Sequence, residues 1–221
     1  MKTKSDALLL WVILFVLSFS FSSCWNKDHC FNTYELYLNA YTTDITQPLH
    51  VGDTLTYWFH FSDTLVDKRE GYELYIPDAR FAFVQSLVRL TPEATPIDWE
   101  WGAGPEEITI YLSEIGENYI LGNGSGIGLG CWNINGYYSA EVKYVFNKAG
   151  KYFFYNQILD DIAPNEYDLD CRFENFLWNI NVNNGAENNK SFLEIIDNQD
   201  VIKAYTGSFH TWGGYCVEVV E

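Results

Sequence analysis

Residues 54–61 read TLTYWFHF, and the turn signal Gly52-Asp53 comes directly before them. β-Branched and aromatic side chains of this kind favour extended backbone, because they pack well on a pleated surface. Two other stretches, Glu107–Leu112 (EITIYL) and Phe176–Val182 (FLWNINV), alternate with a period of two. In the second of these stretches, the face that carries asparagines is expected to be solvated. All three stretches predict β-strands.

Working outward from these stretches, similar runs bounded by turn residues recur along the chain. Further strands are predicted at Tyr34–Tyr41, Tyr72–Ile76, Phe81–Leu90, Tyr137–Phe146, Lys151–Leu159 and Tyr215–Val220. About nine strands separated by turns predict an all-β fold, an antiparallel β-sandwich of the immunoglobulin-like or a related kind. The aromatic residues, 18% of the chain, would fill the space between the sheets.

Helical signals are few. Ser191-Phe192-Leu193-Glu194 has the form of a capping box, and apolar residues follow it up to Asp197-Asn198. One short helix is therefore predicted near residues 191–205, close to the C-terminus.

The charge balance excludes some functions. The chain of 221 residues has 30 Asp and Glu against 13 Lys and Arg, which gives a formal net charge of -17. Such a charge repels phosphate backbones and anionic lipid headgroups. Nonspecific nucleic-acid binding and a polybasic membrane patch are excluded as functions.

The N-terminus has the pattern of an export signal. Lys2 and Lys4 precede the apolar run Ala7–Phe21, which is short for a membrane span and has the size of a secretory hydrophobic region. Phe21-Ser22-Ser23-Cys24 follows and resembles the lipobox of bacterial lipoproteins, although that pattern usually has Leu in place of Phe21. The resemblance implies that Cys24 is lipidated and becomes the mature N-terminus. The alternative is ordinary signal-peptidase cleavage after Ser22 or Ser23.

This pattern divides the chain into a signal peptide (1–23), a tether (24–33) and a single β-sandwich domain (34–221). No linker or internal repeat divides the last segment. The implied location is the cell envelope, as an outer-membrane lipoprotein. The pattern does not decide between the periplasmic and the surface face of that membrane.

The cysteine count fits an exported protein. With Cys24 assigned to lipid, an even number remain, namely Cys30, Cys131, Cys171 and Cys216. Two disulfides are predicted, and the sequence leaves three connectivities open. Metal-ligand spacing is absent, so neither a metal nor another cofactor is predicted.

Two motifs add a family resemblance. Asn147-Lys148-Ala149-Gly150-Lys151-Tyr152 resembles the turn-then-strand motif of bacterial immunoglobulin-like domains, which implies that the Tyr152 hydroxyl bonds back to the preceding loop. Val51-Gly52-Asp53-Thr54-Leu55 resembles a turn that opens a strand in exported β-sandwich proteins. Together with the lipobox, the mature chain resembles the uncharacterised single-domain lipoproteins of the Bacteroidetes, a group with no established activity to carry over.

Three patterns could carry chemistry. Residues 122–130 have glycine at every second position, which predicts either a strand with a bare glycine face or a mobile loop. The acidic stretch Asp160–Asp170 could bind calcium but lacks the EF-hand order, so a solvated loop is favoured. Carboxylate pairs among Glu100, Glu106 and Glu107 could hydrolyse glycosidic bonds, but a chain this acidic contains many such pairs by chance.

Histidines and tryptophans complete the candidates. The sequence around the four histidines does not indicate a Ser/His/Asp catalytic triad; they are His29, His50, His60 and His210. We interpret His60 as a packed or surface residue. Four tryptophans stand in segments that read as loops, where exported β-sandwiches stack sugar rings or pin the loops onto the domain. These possible ligand-binding residues are Trp99, Trp101, Trp132 and Trp212.

The first functional hypothesis is a lipid-anchored binding or structural module of the envelope without catalytic activity, whose partner is a glycan or another envelope protein. The second is a carbohydrate-binding surface lipoprotein. The third is a polysaccharide hydrolase, which requires two facing carboxylates in a cleft.

Overall fold

A computed structural model describes residues 33–43, 47–93, 103–104, 106–121, 126–159, 175–183 and 190–221. The chain divides into two compact units. The first comprises residues 1–34 and 168–176, and in its described part the rings of Tyr34 and Phe176 stack at 5.5 Å. The second comprises residues 35–167 and 177–221 and contains every site considered below.

The described residues are mostly β-structure. The strands, in chain order, are β1 (Thr33–Thr42), β2 (Leu49–His50), β3 (Thr54–Ser62), β4 (Thr64–Val66), β5 (Glu73–Tyr75), β6 (Phe81–Leu90), β7 (Ile108–Leu112), β8 (Glu117–Ile120), β9 (Gly126–Ile134), β10 (Tyr137–Phe146), β11 (Gly150–Ile158), β12 (Asn175–Val182) and β13 (Tyr215–Val220). A 3-10 helix (Lys190–Ile195) and a helix α1 (Gln199–Thr211) lie between β12 and β13.

Eleven strands belong to one continuous sheet. Its order is β12-β1-β3-β10-β9-β6-β11-β13-β2, with β7 added to β10 and β8 added to β9, while β4 and β5 form a separate ribbon. β3, β6, β9, β10 and β11 pair antiparallel with one another, but β2 pairs with β13 in parallel. The predicted count of nine strands is therefore too low, and the sheet is mixed rather than wholly antiparallel.

The sheet folds over on itself at β9. The first part of this strand pairs with β6 through Cys131, whereas Trp132 and the residues after it pair with β10. As a result, β3 and β6 face each other although two strands separate them in the sheet order. The rings of Phe59 and Phe83 stack at 4.1 Å across this interior, and Phe61 meets Phe81 edge-on at 5.0 Å. The prediction that aromatic residues fill the core is confirmed.

A second apolar layer covers the outer side of β6, β11 and β13. There Phe153 stacks on Tyr205 of α1 at 4.9 Å, and Leu193 and Ile196 are buried in the same cluster. Neither helix within the described residues is long and apolar enough to span a membrane.

The predicted helix is corrected in position. The side chain of Asn198, rather than that of Ser191, caps α1, because its Oδ1 accepts a hydrogen bond of 2.9 Å from the N–H of Asp200. The capping-box stretch itself forms the 3-10 helix.

Two local predictions are confirmed. The Tyr152 hydroxyl donates a hydrogen bond of 2.8 Å to the backbone oxygen of Lys148. Of the two alternatives for the alternate glycines, the strand is the one found, because Gly126, Gly128 and Gly130 lie on β9, with Tyr119 of β8 over Gly128. Residues 122–125 lie outside the described residues. The turn Asn135-Gly136 joins β9 to β10 with positive φ at both residues, which suits a two-residue hairpin.

Candidate functional site: an aromatic face on β1, β3, β9 and β10

Strand β3 separates its residues cleanly between two faces. Leu55, Tyr57, Phe59 and Phe61 are buried in the interior, so the residues between them project from the opposite face of the sheet. These outward residues are Thr56, Trp58, His60 and Ser62. The site begins with them.

Strand β10 places a matching row beside them. Ser139 lies opposite His60 and Glu141 lies opposite Trp58 in the antiparallel register. Residues directly opposite in such a pair share a face. The Nδ1 atom of His60 lies 3.1 Å from the Ser139 Oγ atom, so the two rows are in hydrogen-bond contact.

Aromatic rings extend the row on both sides. Tyr41 of β1 lies opposite Trp58, with ring centroids 5.9 Å apart and planes 25° apart. Tyr137 stacks on His60 at 4.8 Å. Trp132 of β9 lies opposite Ser139 and is 49% exposed. We call the surface formed by Tyr41, Trp58, His60, Trp132 and Tyr137 the aromatic face.

A hollow of about 640 Å³ opens over Trp58. We call it the Trp58 hollow. Its lining residues include Thr43, Thr56, Trp58, His60, Ile115, Ser139 and Glu141. Glu141 is the only carboxylate among them, and its Oε1 atom lies 3.5 Å from the Nζ atom of Lys143.

The wall of the hollow that carries Ile115 is held by hydrogen bonds. The N–H of Glu141 donates to the Ile115 oxygen at 3.1 Å. The side-chain amide of Asn118 donates to the oxygens of both Ile115 and Glu141, at 3.0 and 3.1 Å. Gly116 completes the turn with φ +89°, and a Cβ there would lie 2.6 Å from the Gly130 oxygen. Glycine is therefore required where this loop crosses the sheet.

A second, smaller hollow of about 360 Å³ continues the same side of the sheet toward β12, where Asn39 and Asn181 line it. The Nζ atom of Lys68 lies 5.7 Å from the centroid of the Tyr37 ring. The Tyr37 hydroxyl donates to Glu35 at 2.9 Å, and this bond, together with burial and the Glu35 charge, raises the pKa of Tyr37. The position of Asn181 agrees with the predicted outer face of asparagines.

Beneath the aromatic face, the core holds a buried polar cluster. The Asn156 Nδ2 atom donates to the Tyr57 hydroxyl at 2.8 Å, and the Gln85 Nε2 atom donates to the Asn156 Oδ1 atom at 2.9 Å. The Tyr144 hydroxyl donates to the Gln85 Oε1 atom. Burial raises the pKa of both tyrosines, against the opposing effect of the Asn156 and Gln85 hydrogen bonds on Tyr57. The cluster ties β3 and β10 to β6 and β11.

The structure describes two of the four predicted tryptophans. Trp132 lies in strand β9 and not in a loop, because the glycines before it pair with β6 and β8. Trp212 follows α1, is 39% exposed, and forms an isolated bridge with Ile180 of β12. Only Trp132 belongs to the aromatic face. Trp99 and Trp101 lie outside the described residues.

Other predicted residues are accounted for as follows. His60 is an exposed residue on the aromatic face, in agreement with its interpretation. His210 lies in the last turn of α1 and not in a loop. Glu107 pairs with Arg89 at 3.3 Å and with Lys148 at 3.9 Å, a structural ion-pair cluster beside Tyr152. His29, Glu100 and the acidic stretch from Asp160 lie outside the described residues.

The structure describes two of the cysteines, and no disulfide joins them to each other. Cys131 and Cys216 are both buried. Cys131 lies opposite Phe81, while Cys216 lies opposite Phe153, which itself pairs with Val88. Seven residues of β6 separate these two points, or about 23 Å, whereas a disulfide requires Cα atoms within about 7 Å. The structure therefore excludes a Cys131–Cys216 disulfide and contains none of the predicted disulfides in its described part; Cys24, Cys30 and Cys171 lie outside it.

Sequence reasoning missed Trp58, Tyr41 and Tyr137 as site residues. A strand dense in aromatic residues favours a place in the core, and the period-two alternation within TLTYWFHF is the signal that separates Trp58 from Tyr57 and Phe59. Their meeting on one face depends on strand pairing, which one sequence does not contain.

In the described part of the chain, no group of three or more His, Cys, Asp or Glu residues could hold a metal ion. Comparison with protein-family models and with curated proteins gives no match.

Proposed function

We propose that this chain is a lipid-anchored binding module of the cell envelope that carries out no catalysis, and that the aromatic face is its working surface. The lipobox pattern that ends at Cys24 supports the lipid anchor. The same pattern supports the proposed location, which is that of an outer-membrane lipoprotein. The partner is an envelope protein or a glycan.

The observation that carries this proposal is the exposure of large aromatic side chains on ordered strands. Trp132 and Tyr137 are about half exposed, and Ile134 lies exposed between them. Contiguous exposed apolar groups with polar neighbours mark interaction sites more often than scattered ones do. Because hydrogen-bonded strands hold these rings, binding loses little conformational entropy.

The fold supports a binding role of this kind. We infer that the two packed halves of the sheet form a β-sandwich of the immunoglobulin-like or a related kind. The hydrogen bond between Tyr152 and Lys148 supports this inference, since tyrosine corners recur in such domains.

Carbohydrate binding is the second candidate function. It is favoured over hydrolysis by the lining of the Trp58 hollow, where Glu141 is the single carboxylate among the described residues. Glycoside hydrolysis ordinarily needs two carboxylates facing each other across the bond.

The anchor is tested by metabolic labelling with a fatty-acid analogue and by membrane fractionation. The Cys24→Ala variant should lose the label and leave the membrane fraction, because several acyl chains on one cysteine hold a protein firmly. The matched control, Cys30→Ala, should keep both properties. Persistent labelling of the Cys24→Ala variant would overturn the anchor.

A further inference from the structure

We propose that the Trp58 hollow is a binding site for a neutral saccharide, in which one sugar ring stacks on the Trp58 indole and the Glu141 carboxylate accepts hydrogen bonds from the sugar hydroxyls. This inference rests on the proposed function and adds the ligand class.

The size and lining of the hollow suit a small ligand. Its volume of about 640 Å³ lies within the range of roughly 300–1,000 Å³ that such sites occupy. Trp58 and Ile115 supply apolar surface, while Thr56, Ser139 and Glu141 supply polar atoms. A sugar ring needs this combination, because its C–H groups form an apolar face and its hydroxyls form a polar rim.

The platform is fixed in place. Trp58 is flanked by Tyr41 on β1 and by Glu141 on β10, so it has an ordered neighbour on each side. The Asn118 hydrogen bonds hold the Ile115 wall at the same time. A ligand would therefore meet a surface that is already formed, which lowers the entropy lost on binding.

The polar partner is correctly placed. Lys143 contacts the Oε1 atom of Glu141, and among the described residues the Oε2 atom has no hydrogen-bond or ion-pair partner. A carboxylate has two acceptor oxygens, so it can accept hydrogen bonds from two adjacent sugar hydroxyls, whereas a group with one acceptor atom lacks this geometry. Because Glu141 lies directly opposite Trp58 in the pairing of β10 with β3, this acceptor lies beside the stacking surface.

Charge selects a neutral saccharide over an acidic one. The chain has a formal net charge of -17, and Glu141 is the carboxylate among the lining residues that the structure describes. Uronic acid or sulfate groups would meet repulsion both at long range and at the site.

The test is isothermal titration of the purified protein with cellohexaose, xylohexaose, maltohexaose and mannohexaose, and with hexagalacturonate as the acidic probe. At least one neutral probe should bind saturably. Trp58→Ala should weaken that binding about tenfold or more, the loss expected when one stacked ring is removed. Glu141→Gln, which keeps the shape of the side chain, should weaken it several-fold. Tyr75→Ala, at an exposed site on β5 outside the hollow, is the matched control and should leave the affinity unchanged.

Thermal unfolding verifies that each variant is folded. The proposal is overturned if no neutral probe binds the folded protein, if hexagalacturonate binds more tightly than the neutral probes, or if both Trp58→Ala and Glu141→Gln retain full affinity. None of these results touches the anchoring of the module, because the Cys24→Ala experiment reads lipidation and fractionation independently.

Discussion

The hydroxyl group of Tyr152 donates a hydrogen bond to the backbone oxygen of Lys148, four residues earlier, across the turn that opens β11. Burial and the nearby Glu107 charge raise the pKa of Tyr152 to about 12 against the opposing Arg89 charge, so the hydroxyl keeps its proton at physiological pH. One donor therefore fixes the turn to the strand that follows it.

The Tyr152→Phe variant removes this donor alone. We expect the free energy of unfolding to fall by about 1 kcal/mol, the usual net value of one hydrogen bond. Urea denaturation measures the change. Tyr75→Phe, at a side chain that is 66% exposed, is the control and should unfold like the parent protein. Equal stability of the Tyr152→Phe variant and the parent would show that the corner contributes nothing.

The buried polar cluster predicts a larger loss. Asn156→Ala leaves the Gln85 amide without its acceptor and the Tyr57 hydroxyl without its donor, in a core where both residues are almost fully buried. Each unpaired buried group costs about 1–3 kcal/mol, so we expect a destabilisation of about 3 kcal/mol or more by urea denaturation. Tyr57→Phe removes the hydroxyl alone and should cost less. The reverse order of the two variants would contradict this account of the cluster.

The fold could be predicted from sequence where the pattern was long and regular. Phe81–Leu90, Tyr137–Phe146 and Tyr215–Val220 form strands with the predicted bounds. The short strand Glu117–Ile120 was missed because its four residues show no clear alternation, and it is held by pairing with β9. A capping pattern at Ser191 predicted the helix start, but Asn198 provides the cap because the residues before it pack as a 3-10 turn on the sheet.

The site was less accessible to sequence reasoning. Trp132 could be selected as a candidate because it stands in a glycine-rich segment. Trp58 could not, because its role depends on the register that sets it opposite Glu141 and Tyr41. The pairing of Trp58 with Glu141, 83 positions later in the chain, is tertiary information, and the alternation within one strand gives only the face.

The hydrogen bonds of Asp67 predict how the free energy of unfolding depends on pH. Its Oδ1 accepts from the N–H of Glu35 at 2.7 Å and its Oδ2 from that of Glu70 at 2.8 Å. Burial acts to raise the pKa of Asp67, but the backbone hydrogen bonds and the Arg69 charge outweigh it and hold the pKa below the ordinary value of 3.8.

A carboxyl whose pKa is lower in the folded state contributes stability above its unfolded pKa, and that contribution is lost as the pH falls through the folded value. We therefore expect the free energy of unfolding of Asp67→Asn to fall less steeply than that of the parent as the pH is lowered from neutral to about 2. Urea denaturation at each pH measures it. Asp78→Asn, at an exposed position, is the control, and its free energy of unfolding should depend on pH as that of the parent does. Parallel curves for Asp67→Asn and the parent would refute the assignment.

Gly128 and Tyr119 should be energetically coupled. A Cβ at Gly128 would collide with the Tyr119 ring, so Gly128→Ala must displace the ring from the strand. We expect each single variant, Gly128→Ala and Tyr119→Ala, to destabilise the protein. The double variant should be more stable than the sum of the single effects predicts, since it removes the collision. Strict additivity in a double-mutant cycle would mean that the ring does not cover the glycine.

The two buried thiols should be unreactive in the native protein. Burial raises the pKa of Cys131, and it does the same for Cys216 against the opposing charge of Lys151. Because the thiolate is the reactive form, iodoacetamide should label neither residue until urea unfolds the chain. Peptide mapping gives the readout. Rapid labelling of either cysteine in the folded protein would contradict its buried position.

The most direct test of the central claim is X-ray hydroxyl-radical footprinting of the protein in intact cells and after purification. If the aromatic face is the working surface, Trp132 and Tyr137 should be oxidised readily in the purified protein and protected in cells. Tyr75, which is exposed on β5 and is not one of the five residues of the aromatic face, should react equally in both samples. Equal oxidation of Trp132 and Tyr137 in cells and in the purified protein would contradict the claim that this face binds a partner.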